Sequence, residues 1–210
     1  FSRWLPPPAP LCVHLSIGQA YDLRVFNLPM TKLIGISQSA PEDWKLTQLG
    51  WIFSLAIFFL GVSSAVFGRW VEEGGPRKAM FAAALCWAGG FFISAIGVKV
   101  HNLWLIYLGY GVLGGIALGI GYISPVSTLI KWFPDRPGMA TGMAIMGFGG
   151  GAFIASPLSV WLMSKFSTPT HIGVMETFVV LGIARGLGPV LAALMLAGRV
   201  SAGIAAEIGT

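Results

Sequence analysis

The chain has 210 residues, of which 55% are hydrophobic and only 10% charged, against roughly 25% charged in a soluble globular domain, and its mean hydropathy is +0.78. That balance excludes a water-soluble enzyme domain. A net charge of +5 would direct a soluble protein toward nucleic acid, but no basic run is interleaved with aromatics, and the Lys and Arg residues fall between apolar stretches where membrane topology accounts for them. The expected partner is therefore a lipid bilayer and not a nucleic acid.

A helix needs about 20 apolar residues to cross a bilayer, so the length allows at most about six crossings. The expected fold is an all-α membrane protein, a bundle of about six transmembrane helices, because a lipid-exposed backbone must satisfy its hydrogen bonds internally and these runs are too long for barrel strands. Residues 9–29 make a weak first span, blemished by His14, Gln19, Asp22 and Arg24. A polar stretch follows from Met30 to Thr47, with Pro41-Glu42-Asp43 as a loop signal and helix start. The second span covers 49–67, and Gly68 to Lys78 reads as a charged turn broken by Gly74-Gly75-Pro76. The third covers 79–98 and the fourth 103–129, where Pro125 predicts a kink. After Lys131-Trp132-Phe133-Pro134-Asp135-Arg136-Pro137 comes a fifth span, 138–163. The loop Ser164 to Glu176 precedes a last apolar stretch from Thr177 onward, interrupted by Arg185, Gly186, Gly188 and Pro189.

Chemistry-bearing residues are sparse. Cys12 and Cys86 lie among apolar neighbours without metal-ligand spacing, and read as packing thiols. His101 and His171 fall in expected loops and His14 stands alone, so no metal site is expected. No nucleophile, acid pair or phosphate loop occurs in a fitting context. Neither an enzyme nor a cofactor is expected. The opening at Phe1 rather than Met reads as a sign of a fragment, and no cleavable signal peptide is evident. The connections after spans two and four, with the N-terminus, carry Arg3, Arg69, Arg77, Lys78, Lys131 and Arg136, against Lys32, Lys45, Lys99 and Lys165 opposite. This asymmetry places the N-terminus and the Gly68 turn in the cytoplasm of a multi-pass protein of the cell (inner) membrane.

The segment Gly68-Arg69-Trp70-Val71-Glu72-Glu73-Gly74-Gly75-Pro76-Arg77-Lys78 resembles the signature between helices two and three of the major facilitator superfamily: a Gly, an acid four residues on, a Gly at seven and a basic pair. Gly68 lets helices approach, Glu72 can face a helix N-terminus or a basic partner, and Gly75 permits a tight reversal. Arg77 and Lys78 hold the connection inside and can lock one conformation through charge-assisted bonds. The superfamily has Asp then Arg where this chain has Glu72 and Glu73. A short connection obeying the positive-inside rule would contain the same charges.

Leu108 to Tyr122, then Lys131-Trp132-Phe133-Pro134-Asp135-Arg136 and Met143 to Gly151, resemble the oxalate/formate antiporter family within that superfamily. Gly111, Gly115 and Gly119 recur every fourth residue, as do Gly147 and Gly151, and small residues at this spacing let membrane helices pack with backbones close together. The resemblance implies that residues 1–182 form the N-terminal six-helix half of a carrier. Such a half would move a small carboxylate by alternating access, with the site near the bilayer midplane and a C-terminal half or second copy as partner. It also implies that Tyr21 and Tyr122 line the cavity, while the cations that pair with substrate lie in the other half. Arg24 is a further cavity candidate, because a midspan charge is costly and by default functional.

Residues 185–210 depart from this pattern. Their Gly-Pro opening, small-residue helix and the Arg199 and Glu207 pair, two helical turns apart, resemble the permease subunit of ABC lipid-trafficking systems. The sequence therefore reads as a transporter half to residue 182 and a foreign-looking apolar tail over 183–210, with a join near Ile183 to Arg185. The alternative to a carrier is a non-transporting membrane subunit of such a permease.

Overall fold

The computed structural model describes residues 14, 15, 18, 23–36 and 38–190. The described chain is helical. Helix α1 spans Leu23–Met30, α2 Leu46–Gly74 and α3 Pro76–Lys99. Helix α4 is one rod in three stretches: an α-helical start at Leu103–Ile106, a π-helical segment at Tyr107–Leu113 and an α-helix at Gly114–Trp132. Helix α5 spans Pro137–Phe166, and α6 covers 174–190. Four of them, Leu46–Gly74, Arg77–Lys99, Leu103–Lys131 and Pro137–Phe166, are long and apolar enough to cross a membrane.

Helix α2 runs farther than its apolar core requires. At a rise of 1.5 Å per residue its 29 residues reach about 43 Å, close to the full bilayer with headgroups. The first half of the expected charged turn, Gly68 to Gly74, is therefore helix. Only Gly75 is non-helical, at φ +78°, a left-handed conformation that the missing β-carbon permits. Pro76 then opens α3 at the first helical position, where its absent N–H costs nothing.

The connection from α1 to α2 is built around a carboxylate. The N–H groups of Ile34 and Gly35 donate to Asp43 Oδ1 and Oδ2 at 2.9 and 3.2 Å, and that of Ala40 donates to Oδ2 at 2.8 Å. Asp43 thus folds the loop and does not cap the helix, which begins three residues later with the Lys45 N–H donating to Gln48 Oε1. Burial pushes the Asp43 carboxyl up, but the three N–H donors and the nearby His101 outweigh it and hold its pKa below the usual carboxylate value. At the far end of α3, His101 stacks on Trp44 with ring centroids 4.4 Å apart, and its Nε2 lies 3.2 Å from the Glu42 carbonyl oxygen. The loops before α2 and after α3 are thereby clasped together.

Packing is closest around α3 and α4. Gly90 and Gly109 face each other so nearly that a β-carbon on either would lie 2.5 Å from the other's carbonyl oxygen. Trp87, Phe91 and Tyr110 form one aromatic cluster, and Phe178 of α6 joins it at 5.6 Å from Phe91 and 4.9 Å from Phe26 of α1. The π-helical segment carries Gly109, Tyr110 and Gly111, all buried. Its wider turn lies at this crossing, as π-bulges commonly lie at special sites.

Helix α6 does not break at Arg185. Val174, Thr177, Phe178, Leu181 and Arg185 are all buried and recur at helical spacing. The Arg185 guanidinium lies over the Phe91 ring, 4.4 Å from its centroid, which gives a buried cation a partner that an apolar helix face can supply. Gly186 brings the helix against Ala88, where a β-carbon would meet the Ala88 Cβ at 3.2 Å. The helix passes through 183–185 without interruption. Residues 191–210, including Arg199 and Glu207, lie outside the described residues.

Candidate functional site

The glycines of α4 lie on α2. A β-carbon at Gly111 would sit 3.1 Å from Leu55 Cβ; at Gly115 it would sit 2.7 Å from both the Ala56 carbonyl oxygen and Phe59 Cβ; at Gly119 it would sit 2.7 Å from the Leu60 carbonyl oxygen and overlap Ser63 Oγ. The three positions fall one turn apart on each helix, so α2 and α4 run in contact over two turns. Gly147 is buried in α5. Gly151 faces the main chain of Leu15, and Gly18 in turn faces the main chain of Phe148. The first segment of the chain is thus held against α5 by reciprocal backbone contacts.

Between that segment, α4 and α5 lies a three-ring cluster. The His14 ring is 5.5 Å from Tyr122 and 6.4 Å from Phe148, and Tyr122 and Phe148 are 5.8 Å apart. His14 is fully buried, and among the described residues neither ring nitrogen has a hydrogen-bond partner. The Tyr122 main chain lies nearby without hydrogen-bonding geometry. Tyr122 is half-buried, three residues before Pro125, which has no N–H for the Gly121 carbonyl to accept.

The family motif occupies the opposite end of α2 from the Asp43 loop. A β-carbon at Gly68 would lie 4.0 Å from Ile123 Cδ1, so the site is not tightly closed; Glu72 is exposed at the last turn of α2, and Arg77 and Lys78 are exposed in the first turn of α3. Glu73, which departs from the family pattern, accepts from Arg69 Nε at 2.7 Å on the same exposed turn. Among the described residues no group of His, Cys, Asp and Glu could hold a metal ion.

Comparison with known proteins sets this geometry in context. The model of the Major Facilitator Superfamily matches residues 15–206. The chain belongs to the Major Facilitator Superfamily. It is a multi-pass membrane protein of a transporter superfamily, not an enzyme. Its similar relatives include an uncharacterized MFS-type transporter, YhjX, of Escherichia coli, 29% identical over 86% of this chain and 41% of that protein. The oxalate:formate antiporter of Oxalobacter formigenes is 27% identical over 90% of this chain and 41% of its own length. Monocarboxylate transporter 13 of Bos taurus is 26% identical over 57% of this chain and 28% of its own length. The chain spans about two-fifths of the length of the first two of these relatives. The family match runs across residues 183–206, and the comparisons give no support to the ABC-permease resemblance of that stretch.

Of the cavity candidates, Tyr122 lies in the three-ring cluster. Arg24 is exposed on α1, on the side opposite the buried Leu23, Phe26 and Met30, and Tyr21 lies outside the described residues. His14 stands alone in the sequence, yet the structure brings it to Tyr122. The signal was in the spacing: His14 and Gly18 lie four positions apart, about one helical turn, so a helical reading puts them on one face. Nothing local to Trp44, Glu42 and His101 could have paired them, because their meeting depends on how α2 and α3 are joined.

Proposed function

We propose that this chain is the N-terminal half of a secondary transporter of small organic anions, oxalate, formate or related carboxylates, working by alternating access. The observation that carries the reading is similarity over nine-tenths of the chain to a protein named as an oxalate:formate antiporter, with a monocarboxylate transporter among the other relatives. The packing supports it. Alternating access requires a helix bundle that rocks as a body, and backbone-to-backbone contacts tie α4 to α2 and the chain at Leu15 and Gly18 to α5. Helices α2 and α5 leave large apolar side chains exposed, Trp51, Phe58, Met146, Phe153 and Trp161 among them, surfaces for lipid and for a second six-helix half. Tyr122 contributes to the cavity wall, as do Tyr21 and Arg24. Glu72, Arg77 and Lys78 form a cytoplasmic latch around the Gly75 reversal, with the N-terminus on the same side. No covalent step or cofactor enters the cycle.

Liposomes containing this chain together with a complementary C-terminal half should exchange labelled oxalate or a monocarboxylate against internal unlabelled anion. The chain by itself should exchange little unless two copies assemble. Absence of exchange for every mono- and dicarboxylate tested would sink the reading.

A further inference from the structure

A polar ring buried without partners in a membrane protein is an unusual expenditure, because an N–H and a lone pair that leave water unpaired are both penalised. His14 is in that condition: it is fully buried, and neither nitrogen is hydrogen-bonded among the described residues. Its place is not loosely defined. Gly18 against the Phe148 main chain, and Gly151 against that of Leu15, fix the register of the first segment on α5, while Tyr122 of α4 closes the other side. Replacing either glycine by a larger residue would lift the segment and move the imidazole. Close backbone packing around a side chain whose polar atoms go unused suits a site whose missing partner is the ligand.

We infer that His14, backed by Tyr122, is a carboxylate-binding group that takes up a proton together with the anion. The inference rests on the carboxylate reading above and assigns it a residue and a proton. A neutral imidazole offers one donor and one acceptor, so it can give a carboxylate one hydrogen bond; the imidazolium donates from both nitrogens and adds opposite charge. Anion and proton therefore favour each other's binding by the same factor. Among the described residues, the rings packed on His14 are Tyr122 from α4 and Phe148 from α5. Tyr122 brings a phenol and Phe148 a hydrocarbon ring, and neither is a cation. On its own segment the nearest charged residues are Asp22 and Arg24, eight and ten positions along. An arriving anion thus meets no fixed cation among those ring contacts and must bring its own countercharge as a proton. The step is a simple transfer: the proton comes from water, goes to an imidazole nitrogen as the carboxylate binds and returns to water on release.

The test uses the full 210-residue chain in lipid nanodiscs, with labelled oxalate and labelled formate as probes. With one linked proton, affinity should rise by up to roughly tenfold for each pH unit between 7.5 and 5.5. His14→Gln keeps a donor but cannot titrate, so its affinity should be flat with pH and weaker than wild type at pH 5.5, whereas His171→Gln should keep the wild-type slope. A second readout needs no mutant to bind. In the ¹⁵N-histidine-labelled wild-type chain, the ring signals that persist in His101→Gln and His171→Gln belong to His14, and they should move to imidazolium values when oxalate is added. Binding whose slope survives His14→Gln, or His14 signals unmoved at saturating oxalate, would overturn this inference and leave the carboxylate reading intact. A wild-type chain that binds neither probe at any pH would also overturn this inference, while the carboxylate reading stands or falls on the exchange assay with the complementary half.

Discussion

Replacing Gly115 by alanine tests whether backbone contact sets the spacing of α2 and α4. A β-carbon there would lie 2.7 Å from the Ala56 carbonyl oxygen and from Phe59 Cβ, and 3.2 Å from Ala56 Cα. Ordinary contact begins at 3.4 Å, so the helices must part by about 0.7 Å. None of those atoms is the end of a flexible side chain, so local yielding cannot absorb the clash. A gap of roughly 0.5–1 Å forfeits a quarter to a half of the dispersion attraction of each facing pair, and overpacked interiors lose about 1–3 kcal/mol. Alanine returns about 1 kcal/mol through helix propensity and a less disordered unfolded chain. The expected net loss for Gly115→Ala is about 0–2 kcal/mol. Gly61 supplies the control, because it lies on the same helix as Phe59 with nothing within 4 Å of a built β-carbon; Gly61→Ala should be neutral or stabilising by up to about 1 kcal/mol. Unfolding of the purified chain in mild detergent, titrated with dodecyl sulfate and followed by circular dichroism, measures both. If Gly115→Ala unfolds no earlier than Gly61→Ala, the close-contact account of the glycine stripe is wrong.

The Asp43 loop should depend on pH. Because the folded carboxyl is held below its ordinary value of 3.8, its contribution is fully present above about pH 4 and is lost as pH falls through the depressed value. The emission of Trp44, taken as the difference from Trp44→Phe, should follow that loss in the wild type and stay constant in Asp43→Asn. Orientation can be read by labelling in a Cys12→Ala, Cys86→Ala background: Lys78→Cys should react with an impermeant maleimide from the cytoplasmic side only, and Lys99→Cys from the opposite side only, and the reverse pattern would invert the topology. For α6, Arg185→Ala and Phe91→Leu should each destabilise the chain, with a coupling of about 2 kcal/mol if the buried cation–π contact holds the helix; additive effects in the double mutant would count against that contact.

The helices were legible because lipid leaves the backbone few options: long apolar runs near residues 49–67, 79–98, 103–129 and 138–163 became α2 to α5. Their ends were less legible. Hydropathy stops at Phe67, but hydrogen bonding does not, and α2 continues to Gly74 because charged side chains at its end can reach water without breaking the helix. The same error, with a different cause, affected α6. Arg185 and Gly186 look like interruptions in a one-dimensional reading. In three dimensions the first lies on Phe91 and the second admits Ala88. The π-helical segment at Tyr107–Leu113 has no signature beyond its glycines, since it arises where α4 passes Gly90 and Ser94 of α3.

The candidate site shows why polarity within an apolar span is an incomplete guide. Arg24 and His14 are both polar residues in the first apolar stretch, and charge alone ranks Arg24 higher. Burial reverses the order. Arg24 is exposed on α1, where a long side chain can snorkel to a polar surface at little cost. His14 has no such escape, because it is enclosed by Tyr122 and Phe148 with both nitrogens unpaired. A side chain that can move away from a penalty says little about what the protein needs at that point. One held where the penalty is largest, by glycines that draw two backbones together around it, marks a place suited to an incoming hydrogen-bond partner.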